Sequence, residues 1–163
     1  MKLNLPTDLY HSVCPCRIRE SKDDQKPYSK CCQIWHDGLG VNHFPAHALN
    51  LMRSRYSAFA IGSQILEQRP LMKHYLENTW HASTRPQDLM LDDTVWTGLK
   101  IIQHNSSVLK AMVEFVAYYK MNGRTERLQE KSQFEKEGPN GIGDYVSWMS
   151  FLHKNEVLVA GFG

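Results

Sequence analysis

"MVEFVAYYKMNGRTERLQEKSQF", residues 112–134, is the stretch whose reading decides the fold. Its first ten residues are rich in Val, Phe and Tyr, side chains that suit a pleated, half-buried surface. Asn122-Gly123 follows, a pair that accepts the positive φ angles of a two-residue hairpin turn. Beyond the turn the side chains alternate. Leu128, Glu130, Ser132 and Phe134 fall on one face, and Arg127, Gln129, Lys131 and Gln133 on the other. The second set belongs in water. The first belongs mostly in a core, which leaves Glu130 as a carboxylate in an uncomfortable place.

Upstream, "VWTGLKIIQHN" (95–105) has the same strand character, and "NSS" (105–107) is the turn between it and "AMVEFVAYYKM" (111–121). Further upstream the apolar period lengthens from two to between three and four. Leu49, Met52, Tyr56 and Phe59 predict a helix over 45–60 with one buried stripe, Pro45 in its first turn and Gly62 as its stop. A second helix is expected over 70–80, with Leu71, Tyr75 and Leu76 on its apolar side. "HASTRPQDLMLDD" (81–93) reads as a connector and "DYVSWMSF" (144–151) as a last strand. Helices first and antiparallel strands afterwards describe an α+β cone, with helices packed on one face of a curved sheet and a cavity at its open end.

The chain has 163 residues, 42% of them hydrophobic and 22% charged, which suits one domain with a small appendage. We place the appendage at 1–42 and the α+β domain at 43–163. A formal charge of +2 is too mild to indicate nucleic-acid binding by electrostatics alone. No apolar run is long enough to span a membrane, and "MKLNLPTDLYHSV" lacks the apolar core and cleavage site of a secretory leader. The expected address is cytoplasmic, and hence reducing.

All four cysteines lie in "CPCRIRESKDDQKPYSKCC", residues 14–32. A reducing compartment disfavours disulfides, and adjacent cysteines would strain one. A redox role would suit C-x-x-C beside a βαβ pattern, which is absent. Cys14 and Cys16 from one end, with Cys31 and Cys32 from the other, supply the all-sulfur set that structural zinc accepts. His36 is a substitute for one of them; His11 and His43 are more distant ones. For each histidine the preferred reading is a solvent-facing loop residue.

"CPC", a basic spacer and "CC" resemble the SEC-C zinc motif, known from the tail of the SecA translocation ATPase. "LMRSRYSAFAIG", "TWHASTRP" and "VEFVAYYKMNGRTERLQEKSQFEKEG" then resemble the YchJ family of uncharacterised bacterial proteins. The resemblance implies a zinc module followed by a nuclear-transport-factor-two-like (NTF2-like) domain. Three departures stand out: Arg17-Ile18-Arg19 replaces the usual Gly-Ser-Gly of the spacer, "PNGIG" interrupts the strand expected after "FEKEG", and "VLVAGFG" stands where many members carry a second cysteine motif.

The pocket candidates are Arg53, Arg55, Trp80, His81, Arg85, Glu114 and Glu130. A functional reading makes Glu130 or His81 a base, an arginine an anion grip and the tryptophan a stacking surface. The structural reading is preferred: Arg55 and Glu130 form an ion pair between helix and sheet, Trp80 is core, and Arg85 anchors a loop. Phosphate-binding, zincin and serine-hydrolase motifs are absent from the sequence. Three roles follow. The leading one is a zinc-binding interaction module whose partner is another protein, and the second is a small-molecule enzyme or ligand-binding protein using the cavity. The third is nucleic-acid or ribosome association through Arg17, Arg19, Lys22, Lys26 and Lys30, continued onto the helix at Arg53.

Overall fold

The structure is a computed structural model. It describes residues 11–41, 43–80, 91–107 and 110–136, together with the strand backbone at 148–150 and 156–162. After a cysteine-bearing segment of short 3-10 turns come helices α1 (Gln33–Gly38), α2 (Ala48–Gln64) and α3 (Arg69–Thr79). Strands β1 (Val95–Ser106), β2 (Lys110–Met121), β3 (Arg124–Lys136), β4 (Trp148–Ser150) and β5 (Glu156–Phe162) form one antiparallel sheet. This is the α+β architecture expected from residues 112–134.

The hairpin forms as anticipated. Asn122 and Gly123 take φ of 53° and 76°, and Met121 pairs with Arg124 across the turn. β3 is the hub of the sheet, since β2 runs along one side while β4 and β5 share the other. β4 lies within the expected last strand and pairs with Phe134–Lys136. β5 lies beyond the last strand expected from the sequence: "VLVAGF" pairs along Glu126–Lys131 beside β4.

The helix expected over 45–60 is displaced. It starts at Ala48, after Pro45, and passes through Gly62 to Gln64. Gly62 is there for close approach: a Cβ on it would lie 2.5 Å from Leu91 Cδ1 and 3.2 Å from Met72 Cβ. Nor does α2 bury a single stripe. Leu51, Ser54, Tyr56, Ser57, Ala58 and Ile61 are all buried, because the cysteine segment, α3 and the sheet cover it on different sides. α3 follows expectation more closely, with Met72, Tyr75 and Leu76 buried. Among the described residues no helix is long and apolar enough to cross a membrane.

Candidate functional site

The cysteine segment is drawn together by local backbone bonds. Cys14 N–H donates to Lys26 O at 2.8 Å and Tyr28 N–H to Ser12 O at 2.9 Å, around a bridge between Val13 and Pro27. Pro15 opens a 3-10 turn that carries Cys16, its fixed φ suited to that place. Cys31 follows a second such turn with φ −130° and ψ −104°, and Cys32 leads into α1.

The four sulfurs converge. Cys16 Sγ stands 3.6 Å from those of Cys14, Cys31 and Cys32, Cys31 and Cys32 are 3.9 Å apart, and all four lie within 4.8 Å of one another. A sulfur tetrahedron with metal–sulfur arms of about 2.3 Å has edges of about 3.8 Å, so the set fits a tetrahedral ion. The separations are far beyond the roughly 2 Å of an S–S bond. Cys14, Cys16 and Cys32 are buried, and Cys31 is half-buried. Hydrogen bonds from Cys14, Cys16 and Cys32, and then from Arg17, hold the Cys31 thiol well below its ordinary pKa, while burial pushes Cys32 up. Arg17 Nε donates to Cys31 Sγ at 3.2 Å, and Ser57 Oγ lies 3.4 Å from Cys14 Sγ.

His36 is not the solvent-facing residue expected. It is 4% exposed, with Nδ1 2.6 Å from Tyr28 Oη and Nε2 2.8 Å from Ser54 O. The carbonyl can only accept, so Nε2 carries the proton and Nδ1 accepts from the tyrosine. Burial lowers its pKa to about 4. Both ring nitrogens are thus engaged away from the sulfurs.

Arg53 and Glu114 leave the pocket set. Arg53 turns to the cysteine segment, donating to Cys16 O at 2.9 Å and to Glu20 Oε1 at 2.8 Å. Glu114 alternates with the cavity-facing Phe115, and it accepts from Gln103 and Gln129, each at 2.7 Å. Those two amides hold its pKa below the usual carboxylate value. His81 and Arg85 lie outside the described residues.

Arg55, Trp80 and Glu130 do meet, in a cavity of about 210 Å3 between α2 and the sheet. Its walls are largely aromatic: Tyr56, Phe59, Trp80, Trp96, Phe115 and Phe134. Met52, Ala117 and Leu128 fill between them, and Ser132 joins the two charged residues as a polar group. The expected Arg55–Glu130 ion pair is not among those formed by the described residues. Arg55 donates to Thr79 O with its guanidinium 4.8 Å from the Trp80 ring centre, and burial lowers its pKa to about 9. Glu130 Oε1 instead accepts from Ser132 Oγ at 2.9 Å, and burial raises its pKa. The alternation in β3 pointed to Glu130 and Ser132, but nothing local marked Phe115, Trp96 or Phe59 as their neighbours.

The basic residues do not make a continuous stripe among the described residues. Arg53 is buried on Glu20, Arg17 is held by Cys31 and by Asp24 O, and Arg19 lies 3.7 Å over the Tyr118 ring. Lys22, Lys26 and Lys30 remain exposed.

A curved α+β cone with a tetrahedral cysteine cluster against its first strand defines a class, SEC-C-bearing proteins with an NTF2-like domain. The family model described as the middle NTF2-like domain of YchJ matches residues 47–147. A UPF0225 protein of Cupriavidus pinatubonensis is 38% identical over 91% of this chain and 92% of its own. A second UPF0225 protein, of Ralstonia nicotianae, is 37% identical over 87% and 94%. The crystal structure of a SEC-C motif containing protein from Psychrobacter arcticus aligns with a TM-score of 0.68 at 30% identity, covering 93% of this chain and 86% of that one. The solution structure of a SEC-C motif containing protein from Rhodopseudomonas palustris, at 23% identity, has the same fold with a TM-score of 0.60 over 91% and 100%. The chain belongs to the YchJ family, the UPF0225 proteins.

Proposed function

We propose that the protein is a small-ligand-binding cone stapled by a structural zinc ion. Zinc is favoured because four thiolates at tetrahedral spacing are its usual closed set and leave no position open for chemistry. Cys14, Cys16, Cys31 and Cys32 would hold it, and its contribution would be to fix the amino-terminal segment on α2 and β1. The observation that carries the ligand reading is the aromatic cavity with Glu130 in its wall, a concave apolar site with few polar groups. Two measurements test it. Elemental analysis of reductively purified protein should give one zinc per chain, lost in Cys16→Ser. Ala117→Phe, which fills the cavity, should abolish binding of small aromatic probes while leaving the melting curve cooperative; equal binding by both proteins would refute the reading.

A second reading keeps protein interaction through the cysteine segment. It is supported by Ile18, Ile34 and Val41, which are 49%, 47% and 77% exposed there. A binding partner captured by wild type and lost in an Ile34→Asp, Val41→Asp variant, with zinc retained, would favour it.

A further inference from the structure

Glu130 is out of keeping with its surroundings. It stands on the cavity face of β3 between Leu128 and Ser132, and the Ser132 hydroxyl is its one hydrogen-bond donor among the described residues. A carboxylate that remains accessible in an apolar cavity gains from any further donor placed against it, because water is poorly available there to do the same. Arg55 lines the same cavity and is held by Thr79 O and the Trp80 face, so a positive group is fixed there independently of Glu130.

Those two charges restrict what can enter. A charged ligand would be attracted by one of these groups and repelled by the other, and would also give up its hydration on entering an apolar cavity. A neutral molecule meets neither penalty. The flat walls of Phe59, Trp80, Trp96, Phe115 and Phe134 favour a ring that can stack or meet them edge-on. Size is limited as well: a cavity of about 150 Å3 takes benzene, so one of about 210 Å3 takes one ring with substituents or two fused rings.

We propose that the cavity binds a neutral, planar aromatic molecule of one or two rings that donates a hydrogen bond from an N–H or O–H group to the Glu130 carboxylate. This rests on the ligand-binding reading above and names the ligand class for that site.

The test is calorimetric titration of the full chain with four benzo-fused five-ring probes: indole, indene, 2-aminoindane and indane-2-carboxylate. Indole offers the N–H that indene lacks, and the other two carry a positive and a negative charge. Indole should bind roughly tenfold or more tightly than indene, the usual effect of a donor that satisfies a buried acceptor, and more tightly than either ion. In Glu130→Leu the ratio of indole to indene affinity should fall to near one. Glu130→Met, of similar length, is the second variant if the first does not fold. Equal binding of indole and indene, tighter binding of either ion, or a ratio that survives both substitutions overturns the ligand class while leaving a ligand cavity in place. Failure of all four probes to bind at millimolar concentration overturns the cavity reading itself.

Discussion

Helix α2 meets two neighbours on contrasting terms. On the cysteine side Arg53 is matched to Cys16 O and Glu20, Ser54 O accepts from His36, and Ser57 lies against Cys14. On the sheet side, two residues along from Arg53, Arg55 enters the cavity that Glu130 lines, where Ser132 is the one hydrogen-bond donor to Glu130 among the described residues. The first layer is filled and closely paired, as a part that only holds the fold together should be. The second keeps open volume and an unbalanced carboxyl group, features that cost stability and therefore point to use. The contrast sets a closely paired layer beside an open cavity within a single helix's width.

The strongest way to break that contrast is to strip the proposed zinc from the four cysteines. The cysteine segment is too small to hold a core alone, and in comparable peptides metal binding is worth on the order of 10 kcal/mol. Chelation or Cys16→Ser should expose residues 11–41 to protease while the β1–β3 hairpins stay protected, read by mass spectrometry of the fragments. Simultaneous loss of both would mean that the two layers fold as one unit, a live outcome because Cys14, Cys16 and Tyr28 pack in the same core cluster as Leu51 and Leu99.

Next in size is Arg53→Met, which strands Glu20 and leaves Cys16 O without its donor. A loss of about 3 kcal/mol is expected in urea unfolding, in the range for breaking a shielded pair at one partner. A loss under about 0.5 kcal/mol would show that this layer is not held by its polar contacts. Gly98→Ala should cost less, roughly 1–2 kcal/mol by thermal melting. Gly98 sits at a bulge in β1 with φ +151°, and a Cβ there would lie 2.6 Å from the Arg19 side chain that crosses it. Arg19→Ala beside it should relieve the crowding but not the strain of φ, leaving part of the cost.

Glu130→Leu gives the smallest effect and the opposite sign. A carboxyl that burial holds above its ordinary 4.5 in the folded protein disfavours folding once ionised. Wild type should therefore lose stability relative to Glu130→Leu as pH rises from 4.5 through the folded pKa, and the difference should then level off. Urea midpoints at pH 4 and pH 7.5 measure it. A variant less stable than wild type at pH 7.5 would place Glu130 among the supports of the fold and remove it from the site.

Much of this molecule is legible from short-range chemistry. Asn122-Gly123 accepts positive φ wherever it stands, the alternation of Leu128 to Phe134 follows from the pleat, and four clustered cysteines suggest a metal set by their spacing alone. The helix ends were less legible because tertiary contacts overrode local signals. Gly62, a stop signal by type, is kept inside α2 by the closeness of Met72 and Leu91. His36 reads as a loop histidine and becomes a buried hinge between Tyr28 and Ser54.

The sequence by itself determined the α+β class, the hairpin, the inward position of Glu130 and the grouping of all four cysteines in one short segment, since each follows from local pattern and composition. Only the tertiary structure decided that Arg53 belongs to the cysteine layer and Arg55 to the cavity, that Glu114 faces away from it, and that "VLVAGF" completes the sheet. The reason is physical: which layer a side chain joins depends on what lies opposite, and opposite partners come from distant parts of the chain.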